Sequence, residues 1–231
     1  MISPAYCGIE RTMNAHAFSL SGAALLALPS GALYWPDRKL LCVSDLHLGK
    51  SERMARRSGM MLPPYETHDT LGRLDSEINA LSPETVVCLG DSFDDLNAGL
   101  SLPEEARMWL ARLVAGRDWV WIEGNHDPGP LELGGRHLAA LRLDGLVFRH
   151  IATTENAEIS GHYHPKAVVN LPGRQVSRPC FLIDSARAIL PAFGTYTGGL
   201  RCTDPVLTAL MGRDARAVLT GAKTHAIPMF V

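Results

Sequence analysis

The sequence is poor in the features that would place it in several familiar classes. No apolar run approaches the roughly 20 residues needed to cross a bilayer. The stretch Ser21 to Leu28 resembles the core of a secretory leader, but it is too short to span a membrane and only Arg11 precedes it as a basic residue. It reads as an early strand or strand pair. The five cysteines are an odd number with no Cys-x-x-Cys spacing, which argues against a disulfide framework. Cys42 and Cys88 sit inside apolar runs and read as small core residues; a reducing cytoplasm is the simpler expectation. Nor is there a surplus of basic charge. Lys and Arg total 22 against 24 Asp and Glu, a formal net charge of -2, so nothing global attracts a polyanion. A nucleic acid would have to be held by a local patch or by metal ions. Repeats, low-complexity tracts and linker-like stretches are missing too. What remains is 231 residues, 46% hydrophobic and 20% charged, which suits one large α/β domain over residues 1–231.

Against that background, five clusters of metal-binding side chains stand out. They are Asp45-Leu46-His47, Gly90-Asp91, Gly124-Asn125-His126-Asp127, His150, and Gly161-His162-Tyr163-His164. Nearly every one follows a β-prone apolar run. Asp45, Asp91, Asn125, His47, His150, His162 and His164 supply two carboxylates, one amide and four imidazoles. That is too many for one tetrahedral ion and about right for two ions sharing a bridge. Two adjacent metals are a device for phosphate ester hydrolysis. Asp45 and His47, two positions apart, face one side if the backbone is extended. Asp91 follows Gly90, which allows close backbone approach, and a carboxylate there can bridge two ions. His162 and His164 can serve the same ion or different ones.

The intervening sequence explains how these clusters meet. Leu40 to Val43, Thr85 to Leu89, Trp119 to Ile122 and Leu146 to Phe148 read as strands, and their continuous apolarity predicts cover on both faces. Leu71, Leu74, Ile78 and Leu81 recur at helical spacing. Ser101 with Glu104 fits a capping box, followed by an apolar face of Trp109, Leu110, Leu113 and Val114 closed by Gly116. Such alternation predicts parallel strands with helices on the sheet faces, and ligands gathered at the carboxyl ends of strands. The C-terminal third, with Phe181 to Ile183 and Gly194 to Leu200, reads as strands and turns of a second packed sheet.

The motifs DLH at 45–47, GDSFD at 90–94, GNHD at 124–127 and GHYH at 161–164 resemble the calcineurin-like metallophosphoesterases, over residues from about 40 to 165. The resemblance implies a four-layer α/β/β/α sandwich of two mixed sheets flanked by helices. It also implies one ion held by Asp45, His47, Asp91 and His164, and a second by Asp91, Asn125, His150 and His162. His126 would be the catalytic acid and Asp127 would orient it. The sequence departs from the family in one place, Arg149-His150 standing where the family has Gly-His. LHLGK at 46–50, LPP at 62–64, GDSF at 90–93, FRH at 148–150 and GHYHP at 161–165 resemble the ligase-associated DNA-damage-response endonuclease branch. That similarity implies Mn²⁺-dependent cleavage of single-stranded DNA beside a DNA ligase, a helicase and a second nuclease, with no membrane partner.

The chemistry expected is in-line attack on phosphorus by a hydroxide shared by two ions about 3.5–4 Å apart. His126 would protonate the leaving oxygen, worth roughly 10²–10⁴-fold. Donors without thiolate fit manganese, iron or zinc. For the substrate, Lys50, Arg53, Arg56 and Arg57 directly follow the first ligand pair and can grip a phosphate backbone, as can Arg149. The bland readings are a solvated helix face and, for Arg149, pairing with an acid. A phosphatase or phosphodiesterase on a small or lipid-linked ester would use the same centre. A non-catalytic scaffold would not need His126.

Overall fold

The computed structural model describes residues 13–59, 65–95, 99, 101–127 and 133–230, without the side chains of 55–58 and 171. Two sheets stack face to face. The first contains β1 (His16–Leu20), β2 (Ala23–Ala27), β3 (Leu33–Trp35), β4 (Leu40–Val43), β5 (Thr85–Leu89), β6 (Asp118–Ile122) and β7 (Arg136–Leu138), adjacent in chain order. β1 to β4 pair antiparallel; from β4 to β7 every pairing is parallel. The crossover from β4 to β5 carries α1 (Lys50–Ser58) and α2 (Glu66–Leu81), and that from β5 to β6 carries α3 (Glu104–Val114). The leader-like stretch therefore folds as β2, paired to both its neighbours.

The second sheet is built from β8 (Leu141–Leu143), β9 (Leu146–Phe148), β10 (Glu158–Ser160), β11 (Lys166–Leu171), β12 (Arg174–Ile183), β13 (Arg187–Ile189), β14 (Arg216–Leu219) and β15 (His225–Pro228). Its order is β15-β14-β12-β13-β10-β9-β8, with β11 hairpinned onto β12. β9, β10 and β13 run parallel to one another. A short helix, α4 (Pro205–Leu210), is capped by Asp204, whose side chain accepts from the Val206 amide.

Side-chain alternation explains the layers. In β4, Leu40 and Cys42 face the second sheet, whereas Leu41 and Val43 face the helices. The inter-sheet core joins Val87, Leu89, Val120 and Ile122 to Phe148, Ile159, Phe181 and Leu190. On the outer face of the first sheet, Val86, Cys88 and Trp119 meet Leu71, Leu74 and Ile78 of α2 and Leu110 and Leu113 of α3. On the far face of the second sheet, Leu182, Ile189 and Ala217 meet Leu207 and Met211. The continuous apolar strands are thus covered by helices on one side and by a sheet on the other. The result is the α/β/β/α sandwich. One detail differs from the sequence reading. α3 begins after Pro103, which makes no side-chain cap bond, so Ser101 stands too far upstream to close a capping box.

Candidate metal centre

Because β4, β5 and β6 are parallel, and β9 and β10 likewise, each set delivers its following residues to one edge. Asp45 and His47 come from the end of β4, Asp91 from β5, Asn125 and His126 from β6, His150 from β9, and His162 and His164 from β10. The ligand loops do not keep an extended backbone as the two-residue spacing predicted. Asp45 (φ 53), His47 (φ 47), Asp91 (φ 46), His162 (φ 71) and His164 (φ 46) are all left-handed. Such backbones cost non-glycine residues on the order of 1–3 kcal/mol each and persist where the surroundings over-determine them. Here they are pinned. The His47 amide donates to the Asp91 carbonyl at 2.9 Å, the Leu48 amide to Ser92 at 3.0 Å, and the Gly194 amide to the Asp45 carbonyl at 3.0 Å.

Three groups of donors result; one joins His47 to Asp94 and His126, and the other two hold the ligands expected from the sequence. In the first of these two, Asp45, His47 and His164 place one ligand atom each within 4.8 Å of one another. Asp45 Oδ1 and His164 Nε2 are 3.0 Å apart. Yet both atoms, and His47 Nε2, are buried without an aligned hydrogen bond. The second group contains Asp91, His150 and His162. His150 Nδ1 lies 2.7 Å from the Leu89 carbonyl, which can only accept, so that nitrogen carries the proton. In the neutral ring Nε2 then presents a lone pair. Around it stand Asn125 Oδ1 at 2.9 Å, His162 Nδ1 at 3.2 Å and Asp91 Oδ2 at 3.4 Å. A cation bound among these four atoms would be shared by two imidazole nitrogens and two oxygens. Both groups offer oxygen and imidazole nitrogen and no thiolate, the donor set of hard or borderline divalent ions. The residues present fit two such ions. The Arg149 departure leaves the His150 ring in the site. Gly90 (φ +74) makes the room for it, since a Cβ there would fall 2.5 Å from His150 Nδ1.

Electrostatics agree with the geometry. Burial raises the Asp91 carboxyl, but the His150 and His126 contacts outweigh it and hold it at about 2. Asp45 behaves alike: burial pushes it up, and the His164 and His150 imidazoles bring it below the usual carboxylate range. Burial lowers His162, reinforced by the neighbouring His150.

Asp94, given no role of its own by the sequence beyond its place in the motif at 90–94, ties these groups together. Its fully buried carboxylate faces His47 Nδ1 at 3.0 Å, leaving His47 Nε2 for the first group. Its main-chain carbonyl lies 2.8 Å from His126 Nδ1. Burial raises this carboxyl, yet His47, Arg53 and Lys50 hold it at about 2. Three sequence assignments change accordingly. The Arg53 guanidinium is paired with Asp94, and Lys50 Nζ lies 4.0 Å from it, so the helix start neutralises a buried acid instead of presenting free cations. Arg149 is paired with Glu155 at 2.5 Å and Glu158 at 3.0 Å, the bland alternative for that residue. Asp127 does not orient His126. Its carboxylate accepts the Ser92 and Phe93 amides at 2.7 and 3.2 Å, and burial, with the nearby Asp91 charge, lifts it to about 6. The side chains of Arg56 and Arg57 lie outside the described residues.

His126 differs from the ligand histidines in exposure. Its side chain is 33% accessible, against 4% for His47 and His150, and its Nε2 stands at the rim 4.0 Å from Asp91 Oδ2. A shallow groove of about 480 Å³, lined by Asn125, Arg149 and His150, opens beside the second group.

A two-sheet sandwich with paired oxygen and imidazole groups at one edge and a more accessible histidine beside them defines a metal-dependent phosphoesterase. The chain matches the model of the calcineurin-like phosphoesterases over residues 38–182, and it belongs to that family. It is similar to the crystal structure of Pseudomonas putida nuclease MPE, with 29% identity and a TM-score of 0.75 over 92% of this chain and 100% of that one. No curated protein matches it. Among the described residues no helix is long and apolar enough to cross a membrane.

Proposed function

We propose that this phosphoesterase is an endonuclease that cuts single-stranded DNA with manganese. The observation that carries the reading is the similarity over the full length of a protein described as a nuclease. The half-buried His126 and the open groove along Asn125 and His150 support a polymeric substrate. The Lys50–Arg57 cluster, which motivated the same reading from sequence, supports it less, because Lys50 and Arg53 are engaged by Asp94.

Asp45, His47, Asp91 and His164 would hold one ion, and Asp91, Asn125, His150 and His162 the other. Bound there, divalent ions would polarise the phosphoryl oxygens and make water a nucleophile near neutral pH. The protein supplies the rest. Asp94 fixes the His47 ring, and its carbonyl keeps the proton on His126 Nδ1, so Nε2 is the position that gains and loses one. As imidazolium, His126 donates from Nε2 to the leaving oxygen. The thiolate-free set of oxygen and imidazole donors fits manganese, with iron or zinc as alternatives. Action beside a DNA ligase, helicase and second nuclease, in a reducing cytoplasm, completes the proposal.

The test is cleavage of single-stranded DNA, a bis-aryl phosphodiester and nucleotide monophosphates with Mn²⁺. DNA cleavage abolished by Asp91→Ala, with His126→Ala hurting poorly activated esters most, is the expected result. Fast turnover of the small diester with no DNA cleavage would overturn the nuclease reading and leave the phosphoesterase.

A further inference from the structure

A cationic groove of about 580 Å³ lies outside the metal centre, between the β11–β12 hairpin and the β14–β15 turn. Val169 and Val176, a cross-strand pair, form its half-buried apolar floor. Arg174, Arg178, Lys223 and His225 stand exposed around it, and among the described residues no acid lines it. Among the described residues none of the four is paired with a carboxylate, whereas Arg53, Arg112, Arg136, Arg142, Arg149 and Arg187 all are. In a chain of net charge -2, three unpaired cations (Arg174, Arg178 and Lys223) gathered at one place are a local feature, not background.

Topology puts this groove at the catalytic end. β12 runs antiparallel to β13, which is parallel to β10, so the amino-terminal half of β12 lies where β10 delivers His162 and His164. β14 is antiparallel to β12 and reaches the same end at Leu219, after which the turn carries Lys223. The connection is direct. Pro165, next to the ligand His164, accepts from the Cys180 amide at 3.0 Å, and Pro179 accepts from the Thr220 amide at 3.0 Å. β11 then leads away from the ligand loop for six residues, roughly 20 Å at about 3.3 Å each.

Resting on the nuclease reading, we propose that this groove holds the backbone phosphates of the same single strand whose scissile ester lies at the metals. Arginine forks bind phosphate oxygens in pairs and lysine binds as a point charge. The valine floor offers a surface for sugar or base without hydrogen-bond readout, so the contact fixes position and not sequence. A strand of a few nucleotides cannot occupy both places; a longer one can.

The experiment compares the wild-type full chain with Arg174→Ala, Arg178→Ala and Lys223→Ala combined. Substrates are single strands of about 20 and about 3 nucleotides and a bis-aryl phosphodiester, all with Mn²⁺. For the long strand KM should rise roughly tenfold or more with kcat unchanged, and the salt slope of log kcat/KM should fall by about 2, at about 0.7 per phosphate contact. The short strand and the small diester should be unaffected, which also reports intact folding. Lysine at positions 174 and 178 should restore most of the affinity. Lys223→Ala alone, on an exposed turn, should lower the slope by about 0.7. An unchanged KM and slope on a DNA that wild type does cut would overturn the groove alone. Failure of wild type to cut any DNA while it turns over the diester would overturn the nuclease reading instead.

Discussion

Asp94 binds together more of the centre than any single ligand. Through its carboxylate it faces His47 and holds Arg53; through its carbonyl it meets His126. Groups that orient ligands typically change metal affinity or activity by about 10–100-fold when altered. Asp94→Asn should therefore weaken Mn²⁺ binding by that factor in calorimetric titration. Arg53→Met should shift metal affinity and melting temperature the same way, because it leaves a buried acid short of its partner. If it instead lowers only the salt dependence of DNA binding, Arg53 is a phosphate contact after all. Glu77 offers a test away from the site. Burial raises its carboxyl, against a smaller opposing contribution from Ser30. A folded-state value above the unfolded one means that the ionised form opposes folding at neutral pH, and that the penalty fades as pH falls through the folded value. Glu77→Gln should raise the melting temperature at pH 7, with the gain shrinking towards about pH 4. A constant gain across that range would refute the assignment.

At the scale of elements, the site is made by loops pressed against each other. A Cβ on Gly161, after β10, would lie 1.7 Å from Ser44 Oγ and 2.5 Å from Asp45 Oδ2, after β4. Gly161→Ala must therefore push the two ligand loops apart. Overpacking typically costs about 1–3 kcal/mol, and a backbone-borne clash belongs at the upper end. The melting temperature should drop and the first ion should no longer bind tightly; a variant with wild-type metal affinity would show the loops to be looser than drawn. The strands behind these loops were legible because their apolar runs needed cover on both faces, and β4, β5, β6 and β9 lie where those runs predict. The loop conformations were not legible. Nothing in Asp-x-His or His-x-His announces a positive φ, which is imposed by bonds to residues far along the chain. The fate of Arg53 and Arg149 was hidden for the same reason: charges adjacent to a motif in sequence found acids across space.

Over the whole molecule, the donors come from both halves of the sandwich. Asp45, His47, Asp91 and Asn125 follow strands of one sheet, and His150, His162 and His164 follow strands of the other. Ions binding only the folded chain add about 2.7 kcal/mol per site at a free concentration 100 times the dissociation constant. At about 2–4 °C per kcal/mol for a chain of this length, that is roughly 5–10 °C per site. Chelation should lower the melting temperature accordingly in scanning calorimetry, and an unchanged value would mean that the two groups hold no ions. The placement of the donors carries a further consequence. Asp45 and His162 are 117 positions apart in the chain, as are His47 and His164. An ion gripping His47 and His164 closes that length of polypeptide into a ring. For a ring of about 100 residues, a disulfide would remove unfolded-state freedom worth about 4.7 kcal/mol in the chain-entropy account. Cys42, Cys88, Cys180 and Cys202 are all free thiols. A cross-link made by an ion at His47 and His164 would answer to metal supply and not to thiol redox state, and starvation for metal would loosen the ligand loops of both sheets as well as silence the enzyme.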